Sequence, residues 1–558
     1  MQQSVIVLKN GKIVNDDLMF DCDILVTEGV IKSIGKELKA PENAIILDCK
    51  GKFVIPGGID PNTHFEASWN DIESVDDFYD GSRAALAGGV TMIIDCAIKA
   101  TSKSLTNTFK EWKKKADSKV CCDYSLHVAI PKWDDNVAQD MTNLAKESGV
   151  NSFMLYMAYK GLYQMSDPDL YKTMDHIRKI GALAMVHCEN GDIKQLNAGK
   201  LVEQGLKGPE GCLLCSPEEI EGEAVHRAIV IAGQVNCPLY IIHVMSKTAA
   251  SIIAKSRQKG HVVYGEANAA ALGTDGTNYF NASWSHAAAH ITSPPLRPDP
   301  STPPTLMNHL ANGDLQLCAS DNRTFSTAQR KSLFDKGGDF RVLPEGVNGV
   351  EHWMSVLWEK GVVSGKMDPC RFVAVSSTDA AKIFNLYPRK GRIQVGADAD
   401  IVVWDPHVTR TITAATHHQK VDFNVFEGME IHGAPCYVIS RGRLAAQLPS
   451  EPGVKDFNQE GKEIVINDDV IPAGSGRFIH TSPFSQFIYP KIQMRSKLNR
   501  AHNVPRYNEH EHVDGGSTDS KQLKSKKVQE NMDINDIEYK PHHRIIKQPP
   551  GGTSSGIW

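Results

Sequence analysis

The sequence lacks any run of about 18 or more apolar residues, so no membrane span is expected. Its opening stretch, Met1–Val14, lacks a basic segment followed by a long apolar one, and it does not read as a secretory signal. Charge of one sign is nearly absent in net terms. The 61 Lys and Arg against 66 Asp and Glu leave −5, too little field to recruit nucleic acid or an anionic surface. Cysteine is sparse, with 12 in 558 residues, and Cys96, Cys188, Cys237 and Cys318 sit inside apolar runs. This excludes a disulfide scaffold and fits reduced thiols, hence a cytoplasmic protein. Cys212-Leu-Leu-Cys215 has no second pair nearby and carries no zinc or redox expectation. Neither Gly57-Gly58 nor Gly88-Gly89 is followed by Lys-Ser/Thr, so phosphate loops are missing too. What remains is an ordinary globular balance, 41% hydrophobic and 23% charged, which excludes a mostly disordered or fibrous chain.

Length alone suggests three or four domains at roughly 150 residues each. The patterning reduces this. Residues 1–55 carry short strand-like runs: Ser4–Leu8, Gly11–Val14 across an Asn10-Gly11 hairpin signal, Asp23–Thr27, Gly29–Ile34 and Ala44–Asp48. They imply a small β-sandwich or barrel. Over 56–390, apolar runs alternate with amphipathic stretches. The runs are Thr91–Asp95, Asp123–Val128, Ser152–Met157, Leu183–His187, Leu239–His243, His261–Gly265 and Leu315–Cys318. The helical stretches include Val75–Gly89, Asp167–Ile180 and Pro217–Ala232. Seven or eight such units fit an α/β fold, a (β/α)8 TIM-type barrel, with an open doubly wound sheet as the alternative. Strands return over 391–490, at Gly391–Ile393, Ala399–Trp404, Met429–His432 and Tyr437–Gly442, and are expected to complete the first β-domain. Residues 491–558 are poor in apolar runs and read as a flexible tail. The tail holds Lys521, Lys524, Lys526 and Lys527 beside Ser517, Thr518, Ser520 and Ser525, either a solvated charge run or a phosphorylation-controlled binding segment.

Catalytic groups of such barrels gather where strands end. His64 follows Pro56-Gly-Gly-Ile-Asp-Pro-Asn-Thr63, His187 and His243 end two apolar runs, and Asp321 ends a third. Each taken alone also fits a hydrogen-bonded strand end. Together, three histidines and an aspartate at one mouth fit a divalent-metal pocket or its remains.

Longer motifs then carry a resemblance. Pro56–Asp60, Ala87–Asp95, Cys121–His127, Gly149–Phe153, His187–Asp192, Pro238–Lys247, Ser293–Leu296, Asn348–Glu351, Phe384–Arg392 and the end Pro549–Gly552 occur in order. In these the chain resembles the cyclic amidohydrolases, specifically the dihydropyrimidinase and collapsin-response-mediator group, from about residue 5 to 490. The resemblance implies a barrel with a discontinuous β-sandwich and usually a homotetramer. In active members it implies two zinc ions held by a His-x-His pair, a carboxylated lysine, two further histidines and an aspartate. The bridging hydroxide attacks the cyclic amide and the aspartate shuttles the proton.

Position by position, the second histidine of the pair is His64 and the first falls on Asn62. The lysine position is Met154, while His187, His243 and Asp321 are retained, the last as a vestigial general base if the chain is inactive. Substrate-contacting positions match Tyr159, Ser293 and Asn348. A thioether cannot be carboxylated, and two metals about 3.5–4 Å apart need that negative bridge, so no binuclear centre is expected. A single zinc on His64, His187, His243 and Asp321 is the remaining metal option. Lys160 lies past its strand end and is not expected to replace the lost lysine. Arg323 stands where active members carry a small thiol, and Trp69-Asn70 where they carry a loop that helps close the site.

Two readings follow. The first is a catalytically impaired pseudo-hydrolase acting as an oligomeric scaffold, a homotetramer or hetero-oligomer with related chains, toward cytoskeletal or signalling proteins. The second is a residual dihydropyrimidinase working through a mononuclear site. Neither includes nucleic acid or a membrane span.

Overall fold

The computed structural model describes residues 5–98, 104–447 and 471–500. A first compact unit ends at Asn499, and a second, Arg500–Trp558, falls almost wholly outside the described residues, as do the lysines and hydroxyls singled out in the tail.

Five strands open the chain: β1 Ile6–Val14, β2 Met19–Thr27, β3 Val30–Gly35, β4 Ile45–Asp48 and β5 Phe53–Pro56. The expected hairpin at Asn10-Gly11 is not formed. Instead β1 runs straight through it as one strand, with its register against β2 shifting between Leu8 and Gly11. Asn10 takes the left-handed φ of 60° that a bulge requires, and its backbone N–H donates to Asp23 at 3.0 Å. Gly11 is needed beside it, because a Cβ there would meet the Val54 side chain at 2.5 Å. The bulge also lets β1 pair twice along one edge. Its first half lies parallel to β4 and its second half, at Lys12 and Ile13, parallel to β5.

The barrel strands are β6 Gly58–Thr63, β9 Val90–Ala97, β10 Asp123–Ala129, β11 Ser152–Tyr156, β12 Leu183–His187, β13 Leu239–Val244, β14 Val263–Asn268 and β15 Leu317–Ala319, with a small hairpin, β7 Ser68–Trp69 and β8 Ile72–Glu73, after the first. All eight are parallel neighbours in the order β15-β14-β13-β12-β11-β10-β9-β6. The end strands meet through a parallel bridge between Thr63 and Asn322, which nearly closes the ring. Every residue of β9 to β15 is buried, which is why these strands read as unbroken apolar runs rather than alternating ones. Several of the helices between them start on side-chain caps, such as Asp77 before Phe78–Ala87 and Ser166 before Asp167–Lys179.

The chain then returns to the first sheet as β16 Ile401–Thr411, β17 Glu430–Ser440 and β18 Arg443–Gln447. Strand β16 lies antiparallel to β5, so strands from both ends of the sequence share one separate, mostly antiparallel sheet. The two expected strands Met429–His432 and Tyr437–Gly442 are one, since β17 runs through both. Gly391–Ile393 is no strand. It is held irregularly, with Asn15 donating to the Ile393 carbonyl at 3.0 Å and accepting from its N–H at 2.8 Å.

A last ordered stretch crosses the N-terminal ends of the barrel strands. The Tyr124 N–H donates to Arg477 and the Ile479 N–H to Tyr124, and further on Thr481 meets Gly149 and Phe484 meets Gly181. The Tyr489 hydroxyl donates to the Ala182 carbonyl at 2.7 Å and Asn236 donates to Ile492 at 2.9 Å. The stretch ends in the helix Tyr489–Arg500, so ordered helix continues past the boundary drawn at 490. Arg495 of that helix donates to the Gly260 carbonyl at 2.7 Å.

Candidate active site in the barrel mouth

The retained residues come together at the C-terminal ends of their strands. Three sit at left-handed backbone angles unusual for non-glycine residues: φ is 65° at Tyr159, 36° at His243 and 52° at Asp321. Such conformations cost of order 1 kcal/mol each and persist where surroundings hold them, commonly at functional sites. In β13 the register shifts between Ile241 and Val244, which re-aims His243.

The four expected ligands form two pairs. His64 Nε2 lies 3.4 Å from Asp321 Oδ1. His187 Nδ1 lies 3.0 Å from His243 Nε2. His187 Nε2 sits 3.0 Å from Glu189, which places its proton on that nitrogen and leaves Nδ1 to accept from His243. His243 Nδ1 is then buried with no partner. Burial pushes the His243 imidazole down to about 4, so it is neutral. For Asp321, burial acts upward, but the His64 hydrogen bond and the surrounding imidazoles together hold the carboxyl below its ordinary value.

Each pair has roughly the spacing of two neighbouring corners of a tetrahedron built on bonds of about 2.0–2.2 Å. They do not merge. Among the described residues, the only trio of His, Cys, Asp or Glu whose ligand atoms all lie within 4.8 Å is Asp123, Asp398 and Asp400. The four residues that the sequence left as a single-zinc option therefore stand as two separate pairs rather than one cage. The acidic trio is elsewhere, at the start of β10, and already holds a cation. The Lys390 ammonium lies 2.5 Å from Asp123 and 3.0 Å from Asp398, and also touches Asp400.

The groups that would complete each half are engaged otherwise. Asn62 donates through Nδ2 to Glu266 at 2.8 Å. Glu266 also accepts from the Tyr240 hydroxyl at 2.6 Å and the His243 N–H at 3.1 Å, and burial pushes its carboxyl up to about 8. Met154 is fully buried, its sulfur 3.7 Å from the Cys96 thiol and 3.0 Å from the Tyr156 hydroxyl, which donates to it. Lys160 pairs with Asp192 at 2.6 Å and stays outside the mouth, as expected.

Two of the positions expected to contact substrate, Tyr159 and Ser293, belong to a charged chain that sequence reasoning missed. Glu189 is wholly buried and touches His187, Ser216, Ser293 and Lys194. The Lys194 ammonium reaches Glu189 at 3.0 Å, Ser293 Oγ at 2.8 Å and Glu345 at 3.2 Å. The Tyr159 hydroxyl donates to the other oxygen of Glu345 at 2.8 Å. Burial acts against the Lys194 charge, but Glu189 and Glu345 outweigh it and keep the ammonium protonated. Asn348 is fully buried and its side chain is spent on a loop of the small sheet, accepting from the Val425 N–H at 2.9 Å. A lysine in the first turn of a helix, as Lys194 is in Gly191–Glu203, or a glutamate between proline and glycine, as Glu345 is, has no local pattern that marks it. Glu266 directly follows the apolar run His261–Gly265.

At the rim, Arg323 lies over the rings of Trp69 and Phe325, with its carbon 5.2 and 5.5 Å from their centres. Trp69 is fixed by its indole N–H on the Val342 carbonyl at 3.1 Å, and Asn70 makes the left-handed turn of the β7–β8 hairpin with φ 51°. Cys212 and Cys215 are buried free thiols bonded to backbone carbonyls.

Comparison with known proteins agrees with this fold. The amidohydrolase family matches residues 53–431. The chain is 53% identical over 499 residues to the dihydropyrimidinase of Rattus norvegicus, spanning 89% of this chain and 92% of that one. It is 44% identical over 501 residues to dihydropyrimidinase-related protein 5 of Homo sapiens, spanning 90% and 85%. The crystal structure of dihydropyrimidinase from Brevibacillus agri NCHU1002 superposes with a TM-score of 0.80 at 34% identity, over 86% of this chain and 100% of that one.

Proposed function

We propose, from the premise that the chain belongs to the amidohydrolase family, that it is a dihydropyrimidinase-type protein which does not turn over cyclic amides and acts as an oligomeric scaffold. One observation carries this reading. Both positions that should complete the metal centre hold residues engaged by protein partners: Asn62 donates through Nδ2 to Glu266, its Oδ1 being buried and unpaired, and the Met154 thioether accepts from Cys96 and Tyr156.

The residues present do not fit two zinc ions. No group at 154 can bridge them, and an amide is a weak zinc ligand beside imidazole. The two ligand pairs are too far apart to share one ion as they stand. What the chain's own residues do is hold protons in place. Glu189 fixes the tautomer of His187, Lys194 neutralises Glu189, and Asp321 is tied to His64.

Among the described residues no helix is long and apolar enough to cross a membrane. We place the protein in the cytoplasm, as a homotetramer or a hetero-oligomer with related chains, working through its surface on cytoskeletal or signalling proteins. This chain matches both a dihydropyrimidinase and a dihydropyrimidinase-related protein.

The test is metal content together with ring opening of 5,6-dihydrouracil, with and without added zinc. The expected result is well under one zinc per chain and no turnover. About two zinc ions per chain with turnover at ordinary enzyme rates would overturn the reading. One zinc with slow turnover would support the rival, a mononuclear dihydropyrimidinase using His64, His187, His243 and Asp321. The double variant Asn62→His with Met154→Lys should recover metal and some activity if those positions alone block the chemistry.

A further inference from the structure

The ion pair between Lys194 and Glu345 is held in place from both sides. Lys194 stands in the first turn of the helix Gly191–Glu203, whose start is fixed by Asn190. The Asn190 side chain accepts from the Ile193 N–H at 3.2 Å and donates to Glu223 at 2.9 Å. Glu345 stands in a loop pinned by Arg330. That fully buried guanidinium donates to the Pro344 carbonyl at 2.6 Å and the Gly346 carbonyl at 2.5 Å, one on either side of Glu345. The Gly346 N–H donates in turn to the Ile291 carbonyl at 2.9 Å, two residues before Ser293. Swinging the loop away would strip a buried charge of its acceptors.

Held in this way, the two side chains meet at 3.2 Å, only 17% and 15% exposed. They use up the polar atoms beside His187. Lys194 Nζ donates to Ser293 Oγ at 2.8 Å, and the Ser293 hydroxyl donates to the same Glu189 oxygen that His187 meets. The Tyr159 hydroxyl donates to Glu345 at 2.8 Å, and the Tyr159 ring lies 5.0 Å from the His187 ring. A neutral ring laid against His187 meets Tyr159 and Ser293, and both are already spent on charged partners. Charge-assisted hydrogen bonds are about twice as strong as neutral ones, so an uncharged amide is a poor replacement for either partner.

We propose that Lys194 and Glu345 form a plug, a third determinant that shuts the His187 side of the mouth against neutral cyclic amides, independently of the residues at 62 and 154. This rests on the reading above in placing a cyclic amide against His187. Binding is read on metal-free protein, apart from zinc content and turnover. Ring binding without turnover by the unmodified chain would overturn the plug and leave the scaffold reading standing, whereas turnover at ordinary enzyme rates would sink both.

The experiment is calorimetric titration of 5,6-dihydrouracil into chelator-treated full chains, each checked for its fold by near-UV circular dichroism. The chains are the unmodified one, Asn62→His with Met154→Lys, Lys194→Ala with Glu345→Ala, and all of these changes combined. Truncating Lys194 and Glu345 together removes one charge of each sign, so neither is left uncompensated. Each chain that keeps the pair should bind the ring more weakly than its counterpart without it, by about tenfold or more. Glu345→Ala alone releases Tyr159 while Glu189 still neutralises Lys194, and it should gain about threefold. That variant keeps the test readable where the paired truncation does not fold. Equal binding by the unmodified chain and the chain lacking the pair would overturn the proposal. So would the absence of any gain in a folded Glu345→Ala, or full ring binding by Asn62→His with Met154→Lys while the pair is still in place.

Discussion

Replacing Met154 by lysine alone, without restoring Asn62, puts the family's lost side chain into the environment that has grown around its absence. Met154 is fully buried in a layer with Met92, Ile94, Cys96, Met185 and Leu317. Lysine has nearly the same length, so overpacking adds little, and the cost is that of taking an ammonium out of water. Buried lysines titrate near 5–6 against an ordinary 10.4. At pH 7 the folded variant therefore carries a neutral amine while the unfolded chain is charged. The penalty is about 1.4 kcal/mol for each pH unit below 10.4, or about 4.6 kcal/mol at pH 7 and about 2 kcal/mol at pH 9. The compact unit runs Met1–Asn499, and at about 2.1 cal/mol/K per residue its unfolding entropy is about 1 kcal/mol/K. The unfolding temperature should thus fall by about 4–5 °C at pH 7 and about 2 °C at pH 9, measured by near-UV circular dichroism on metal-free protein. Zinc and bicarbonate should restore little unless Asn62→His is added. A variant as stable as the parent at pH 7, or a loss that does not shrink as pH rises, would refute the view that the pocket has become an apolar layer.

Two further outcomes follow from buried charge. His127 donates through Nε2 to the Pro61 carbonyl at 2.9 Å and accepts through Nδ1 from Ser152 at 2.6 Å, and burial pushes it down to about 4. The unfolded chain takes up that proton first, so stability should be lost between about pH 6.5 and 4, by up to about 3 kcal/mol, and be unaffected above. The unfolding temperature followed from pH 7 to 4.5 should show a shallower acid limb in His127→Gln, and an unchanged limb would contradict this. Lys390→Met should cost about 3–5 kcal/mol in urea unfolding, because Asp123, Asp398 and Asp400 lose their shared cation. A loss below about 1 kcal/mol would mean that Arg441, 2.7 Å from Asp123, carries the cluster by itself.

Much of the scaffold was legible because burial writes itself locally. Leu183–His187 is a strand with the bounds its apolar run suggests, and Asp167–Lys179 starts at the serine that caps it. Asn10-Gly11 was misread for the opposite reason. The pair needs a left-handed residue in a turn and in a bulge alike, and only the partner strands decide between them. The site was legible where residues end strands, as His64, His187, His243 and Asp321 do. It was illegible where chemistry comes from partners distant in the chain. Glu345 meets Tyr159 across a separation of 186 residues, and Asn62 meets Glu266 across 204. Losing two ligands could be read from the letters at 62 and 154. That Glu266 takes the Asn62 amide N–H and that sulfur contacts hold Met154 could not.

The stretch that crosses the underside of the barrel sets an order of events in time. Its contacts join residues separated by 330 positions at Asn151–Thr481, 307 at Ala182–Tyr489 and 256 at Asn236–Ile492. None can form until nearly the whole ordered chain has left the ribosome, and loop closure over such spans is slow. Five strand beginnings wait unsealed while the rest collapses. A nascent chain stalled before residue 475 would hold a barrel whose backbone groups at Tyr124, Gly149 and Gly181 have no mates, the state in which chaperone capture or mispairing is most favoured.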